Sequence, residues 1–100
     1  METINQLILD CAAKVLRING TTKAEIIFSI NGIIPAVECD GYKDGYHNTP
    51  TQIVDGAAYP IRTYCPLDNW IRLDMPDAEP QLRALLESLN ALEKELISNA

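Results

Sequence analysis

The side chains that could do chemistry in this 100-residue sequence are concentrated in one polar stretch, residues 40–58. Asp40, Asp44 and His47, which is the only histidine, lie close together there. Carboxylates and imidazole bind divalent metals, and such a site would serve a small metal-assisted hydrolase. The calcium-loop pattern fails, however, because Thr51 stands where that loop needs a bidentate glutamate. We therefore expect no metal and no cofactor, and the hydrolase remains an alternative function.

A cysteine–histidine pair is the other catalytic arrangement that the composition permits. A nucleophilic cysteine needs a base within hydrogen-bond reach and a third group that orients the base. Cys39 and Cys65 instead alternate in phase with apolar neighbours, which predicts two buried and unreactive thiols. The sequence also contains no Gly-rich phosphate loop and no serine nucleophile motif. It therefore predicts a protein that is not an enzyme.

The polar stretch also contains a tandem repeat, Asp-Gly-Tyr-Lys at 40–43 followed by Asp-Gly-Tyr-His at 44–47. Asp-Gly steps favour tight turns, so the two tyrosines are expected on a surface loop. Tyrosines anchor many protein interfaces, because they bury a large area at a small cost in conformational entropy. The predicted partner-binding residues are Asp40, Tyr42, Asp44, Tyr46 and His47.

Net charge restricts the classes of partner. The formal charge is -6, and the eight basic residues are scattered singly along the chain. Direct binding to nucleic acid or to an anionic membrane is therefore not expected, since both need clustered lysine and arginine. A negative surface instead favours a protein partner with a basic groove. Three cysteines without a C-x-x-C pair, no signal peptide and no apolar run of about 20 residues predict a cytoplasmic protein.

Two hairpins and a helix are predicted before the last quarter of the chain. Apolar residues spaced by three and four predict a helix over 4–17, which Asn19-Gly20 would end. Asn-Gly at 31–32 predicts a type I′ turn in a hairpin over 23–39, pairing Ile30 with Ile33. A second hairpin is predicted over 59–75. Trp70 in that hairpin is left open between core and surface, with the core preferred.

The last quarter, residues 77–100, contains a line of leucines spaced by three and four, Leu82, Leu85, Leu89, Leu92 and Leu96. This spacing draws one apolar stripe along a helix, and the stripe needs a partner surface. One interpretation packs the stripe on the sheet of the same chain, and this is preferred. The other makes these five residues a homodimer interface.

These elements predict a single α+β domain over residues 1–100. Its two layers would be a three- or four-stranded antiparallel sheet and, on one face, an N-terminal helix and a long C-terminal helix. The predicted function is a small acidic, non-enzymatic protein-interaction module that is an adaptor or inhibitor of a larger partner. The alternatives are the metal-assisted hydrolase and a structural subunit that dimerises through the leucine helix.

Overall fold

The computed structural model describes residues 2–98 and confirms the α+β arrangement. The elements in chain order are α1 (Glu2–Thr21), β1 (Glu25–Asn31), β2 (Ala36–Tyr42), a 3-10 helix (Tyr46–Asn48), β3 (Thr51–Val54), β4 (Ala57–Pro60), β5 (Ile71–Arg72) and α2 (Ala78–Ser98). An antiparallel three-stranded sheet has the order β1-β2-β5, and β3 and β4 form a separate two-stranded sheet. Both helices share one core with the larger sheet.

The first helix is longer than the sequence predicts. It continues through Gly20 to Thr21, and Gly20 does not adopt the positive φ of a left-handed stop. The Thr21 hydroxyl donates to the Arg17 carbonyl at 2.7 Å, and the Thr22 N–H donates to the Ile18 carbonyl at 3.0 Å. These bonds satisfy carbonyls of the last turn, so a glycine stop is not needed there.

The leucine line is the core-facing side of α2. All five of its members are buried, and the most exposed of them, Leu96, retains 8% of its accessible surface. Their main contact is with α1, and a smaller one is with β5. The prediction of a dimer interface at Leu82, Leu85, Leu89, Leu92 and Leu96 is therefore wrong, because α1 already covers this surface within one chain.

The β1–β2 hairpin has a different register from the predicted one. Asn31 pairs with Ala36, so the connection is 32–35 instead of a two-residue turn. The Asn31 side-chain oxygen accepts the Ile33 N–H at 2.9 Å, which closes a turn without positive φ. Because the shift in register is an even number of residues, Val37 still faces the core. Ile33, predicted to pair with Ile30, is instead 96% exposed at the tip.

The second hairpin lies at 51–60 and so begins within the polar stretch 40–58, where no strand was predicted. Asp55 and Gly56 have φ values of 51° and 81°, as a type I′ turn requires. The predicted hairpin over 59–75 is wrong, because Ile71 pairs with β2 and the segment before it is mostly irregular. Of that segment, Tyr64 forms a single bridge with Gly41.

A buried carboxylate joins the two helices. Glu93 of α2 lies beneath α1, where its Oε1 is 3.0 Å from Lys14 Nζ and its Oε2 is 2.7 Å from Arg17 Nε. The hydrogen bond from Lys14 holds the pKa of Glu93 below its ordinary value; burial acts in the opposite direction, and the charge of Arg17 lowers the pKa further. This cluster fixes the rotation of α2 relative to α1.

The Glu93 cluster predicts a loss of stability in acid. Because the pKa of Glu93 is lower in the folded protein than the ordinary 4.5, its ionic contribution is fully present above pH 4.5. It is lost as the pH falls through the lower, folded value. Between about pH 7 and pH 3, the free energy of unfolding measured in urea should therefore fall more steeply with pH for the wild type than for Glu93→Gln. Glu87→Gln, an exposed site on the same helix, should follow the wild type, and identical slopes for all three proteins would contradict the prediction.

Candidate interaction site

The predicted partner-binding residues lie between the end of β2 and the 3-10 helix, where three rings contact one another in series. Tyr42 and Tyr46 pack edge to face with centroids 5.3 Å apart, and Tyr46 and His47 do so at 5.4 Å. Tyr46 and His47 are exposed, whereas Tyr42 is buried. Tyr42 is therefore a support for Tyr46, and its prediction as a surface anchor is wrong.

Both predicted carboxylates are occupied by cations of the same chain. Asp40 pairs with Arg62, and Asp44 lies 3.0 Å from Lys23 Nζ. Hydrogen bonds to Asp40 and Tyr42 raise the pKa of the Arg62 guanidinium. Over residues 2–98, no three His, Cys, Asp or Glu side chains are grouped so that they could hold a metal ion. Asp40, Asp44 and His47 are therefore not brought together as one such group.

Hydrogen bonds fasten this loop to β1. Glu25 Oε1 accepts the Tyr46 N–H at 2.8 Å, and the Thr49 hydroxyl donates to the Gly45 carbonyl at 2.7 Å. Gly45 has a φ of 87°, and a Cβ there would lie 3.1 Å from the Lys23 carbonyl oxygen. Only glycine suits that conformation and that close approach. The loop is thus fixed by these contacts, and residues 51–60 follow it.

That next segment, Thr51–Pro60, is named here the arm and consists of β3, the Asp55-Gly56 turn and β4. Its two strands contain no charged residue, and every strand residue except the half-buried Pro60 is exposed. Ile53 is 71% exposed and Tyr59 53%. The strands contact chiefly each other. A two-stranded sheet is marginal in water when it stands alone, and exposed apolar surface of this kind marks interaction sites.

The two outer edges of the arm differ in their hydrogen-bonding groups. The Ile61 N–H donates to the Pro50 carbonyl at 2.8 Å, and bonded and non-bonded pairs alternate along an antiparallel ladder. In the observed register, some backbone groups consequently point away from the partner strand. They belong to Thr51 and Ile53 on β3 and to Ala58 and Pro60 on β4. The β3 edge offers an N–H and a C=O at both of its outward positions. The β4 edge lacks one donor, because Pro60 has no N–H.

The sequence contained the signal for the arm. Asp-Gly at 55–56 is a favoured type I′ pair, and it is flanked by Gln-Ile-Val and Ala-Ala-Tyr. Two short runs around a two-residue turn are typical of a hairpin. No strand was predicted within residues 40–58, because the polar residues around this pair favour turns.

The three cysteines are in different environments. Burial raises the pKa of Cys11 to about 11 and that of Cys39 to about 12, so both thiols stay protonated and unreactive at neutral pH. Cys65 is exposed, so its prediction as a core residue is wrong. It belongs to the irregular segment before β5, where no strand alternation directs it inward.

Thiol labelling checks this assignment. We expect a chromogenic disulfide reagent to modify one thiol per folded chain quickly, at Cys65, because reaction needs an accessible thiolate. The remaining two thiols should react only after denaturation. Cys65→Ser should abolish the fast phase; a fast phase that persists in this variant would contradict the assignment.

Trp70 lies at the surface and not in the core. It is 41% exposed and lines a cavity of about 320 Å³ between β2 and the segment that precedes β5. Glu38, Asp40 and Arg62 also line this cavity. The indole is displaced from the sheet because the chain leaves the β2 edge after Tyr64 and returns to it only at Ile71.

Comparison of the chain with protein-family models, with curated proteins and with solved structures gives no match. Within residues 2–98, neither helix combines the length and the apolar character that a membrane span requires.

Proposed function

We propose that the protein is a small, non-enzymatic interaction module that binds an extended segment of another protein along the outer edge of β3. The observation that carries this proposal is the exposed arm, with its two uncharged strands and its open β3 edge. Strand addition to an open edge is a frequent mode of recognition, in which main-chain hydrogen bonds supply affinity and alternating side chains supply specificity. A bound strand would turn the marginal ribbon into a three-stranded sheet.

The side chains of β3 indicate what the added strand would contact. Ile53 lies on one face of the arm, and Val54 lies on the other with Tyr59. A partner strand with apolar residues at alternate positions suits both faces. The net charge of -6 adds a preference for a partner with a basic surface, as expected for an adaptor or an inhibitor of a larger protein. Tyr46, exposed at the base of the arm, is the one tyrosine of the tandem repeat that can still anchor such a partner.

A matched pair of proline substitutions tests the proposal. Ile53→Pro removes an outward N–H from the β3 edge, and Ala58→Pro removes the opposite outward N–H from the β4 edge. Neither change removes a hydrogen bond between β3 and β4. In affinity capture from extracts of the source cell, wild type and Ala58→Pro should retain the same protein, and Ile53→Pro should lose it.

Two results would overturn the proposal. One is capture that survives Ile53→Pro as well as it survives Ala58→Pro. The other is loss in Ala58→Pro alone, which would assign binding to the β4 edge. Circular dichroism of both variants should match that of the wild type, because the arm makes only slight contacts with the helices and the larger sheet.

A further inference from the structure

A second apolar stripe runs along α1 on the side away from the core. Leu9, Ala13 and Leu16 are spaced by four and three residues and so lie on one face of the helix. All three are exposed, with 62% of Leu9 and 73% of Leu16 accessible. The core-facing side of α1 is occupied separately by Leu7, Cys11 and Val15. The outer stripe is therefore an apolar surface that residues 2–98 leave uncovered.

The charges of α1 are arranged so that the helix complements a reversed copy of itself. Asp10 lies in its N-terminal half, and Lys14 and Arg17 lie in its C-terminal half, so these residues give the helix no net negative charge in a chain of net charge -6. The net negative charge of the chain would thus repel a second copy from much of the surface. The charges of α1 would not, because they are not predominantly negative.

Asp10 and Arg17 lie seven residues apart, which places them on the same flank of the outer stripe. Equal flanks meet when two helices pack antiparallel about a two-fold axis. Asp10 Oδ1 accepts a hydrogen bond from the Gln6 amide at 2.8 Å, and the Asp10 carboxylate forms no ion pair within residues 2–98. The Arg17 side chain is 63% exposed, although its Nε and Nη2 contact Glu93. Each can therefore reach its counterpart on the second copy.

We infer that α1 is a homodimerisation surface, in which two copies pack antiparallel with Leu9 against Leu16 of the second copy. The two-fold axis passes close to Ala12 and Ala13, whose small side chains allow the helices to approach closely. Asp10 of each copy faces Arg17 of the other, so the ion pair forms twice. This interface is independent of the arm, and it replaces the leucine line of α2, which is buried.

Sedimentation velocity over a range of concentrations tests the interface. The wild type should associate to a dimer, and Leu16→Glu should weaken the association at least about tenfold, because it places a carboxylate in the apolar contact. Ile97→Glu is the matched control, since Ile97 is an apolar residue on α2 that is also more than half exposed. A wild type that stays monomeric, or equal effects of the two substitutions, would overturn the inference.

Disulfide trapping tests the register. In a Cys65→Ser background, Ala13→Cys places a thiol beside the proposed axis, and Ala84→Cys places one on the exposed side of α2. Mild oxidation should link two Ala13→Cys chains quickly and should leave Ala84→Cys chains unlinked, because a disulfide needs Cα atoms within about 7 Å. Equally slow linking of both variants, or faster linking of Ala84→Cys, would contradict the antiparallel arrangement.

Discussion

Leu89→Ala is expected to lower the free energy of unfolding by about 2–5 kcal/mol. Leu89 lies at the middle of the leucine line, is fully buried and belongs to the core that joins α1, α2 and the larger sheet. The substitution removes apolar contacts and leaves a cavity that helices fixed by Glu93 cannot readily close. A domain of this size has about 5–15 kcal/mol in total, so the loss would be a large fraction of its stability.

Urea unfolding at neutral pH measures this loss. Ile97→Ala is the control, because it also shortens an apolar side chain of α2 but at an exposed position. Its effect should stay within about 0.5 kcal/mol. A Leu89→Ala protein as stable as Ile97→Ala would show that α2 does not pack on the core through this line.

Gly41→Ala is expected to cost about 1–3 kcal/mol, although it adds a single methyl group. Gly41 lies opposite Ile26 in the β1–β2 ladder, and a Cβ there would overlap the Glu25 carbonyl oxygen and lie 2.7 Å from Ile26 Cα. These are backbone atoms, so β1 itself would have to move. Gly41 also exchanges hydrogen bonds with Tyr64, which restrains β2 on its other edge.

Gly20→Ala is the matched control for Gly41→Ala. Nothing lies within 4 Å of a Cβ at Gly20, and the residue is helical, so alanine there should leave stability unchanged or raise it by up to about 1 kcal/mol. The midpoint temperatures of thermal unfolding should therefore shift in opposite directions in the two variants, or the shift should be clearly larger for Gly41→Ala. Equal stability would mean that β1 and β2 are not as closely apposed at Gly41 as the register requires.

Helical periodicity predicted more of this fold than turn chemistry did. Spacings of three and four fixed both helices and their buried faces, because a long amphipathic pattern repeats the same information over several turns. Leu82 and Leu89 lie on the predicted line, and both are fully buried. The surface that covers this line could not be predicted, since contact between α1 and α2 is set by tertiary packing.

The two hairpins illustrate what local sequence leaves undecided. Asn31-Gly32 and Asp55-Gly56 are comparable type I′ signals, yet only the second pair forms that turn. At the first, Asn31 pairs with Ala36 instead, while Val37 on the other edge of β2 pairs with Ile71, so the register is set together with a contact outside the turn. Such a constraint joins residues far apart in the sequence, and a four-residue window does not contain it.

The candidate site shows the same limit. Tyr42 and Tyr46 occur in nearly identical Asp-Gly-Tyr repeats, but one is buried and the other exposed. The difference comes from their places in the fold, since Tyr42 pairs with Glu25 at the end of β2, whereas Tyr46 lies beyond the sheet in the 3-10 helix. Composition indicated an interaction protein, and the register of β3 with β4 then located the edge proposed to bind.

Hydrogen exchange of individual amides in the arm tests the proposed strand addition most directly. In the free protein, the outward amides of Thr51, Ile53 and Ala58 should exchange quickly, and that of Gln52 should be slower because it bonds to β4. In complex with the protein captured from the source cell, Thr51 and Ile53 should become protected while Ala58 still exchanges quickly. Protection at Ala58 alone, or no change at Thr51 and Ile53, would contradict binding along the β3 edge.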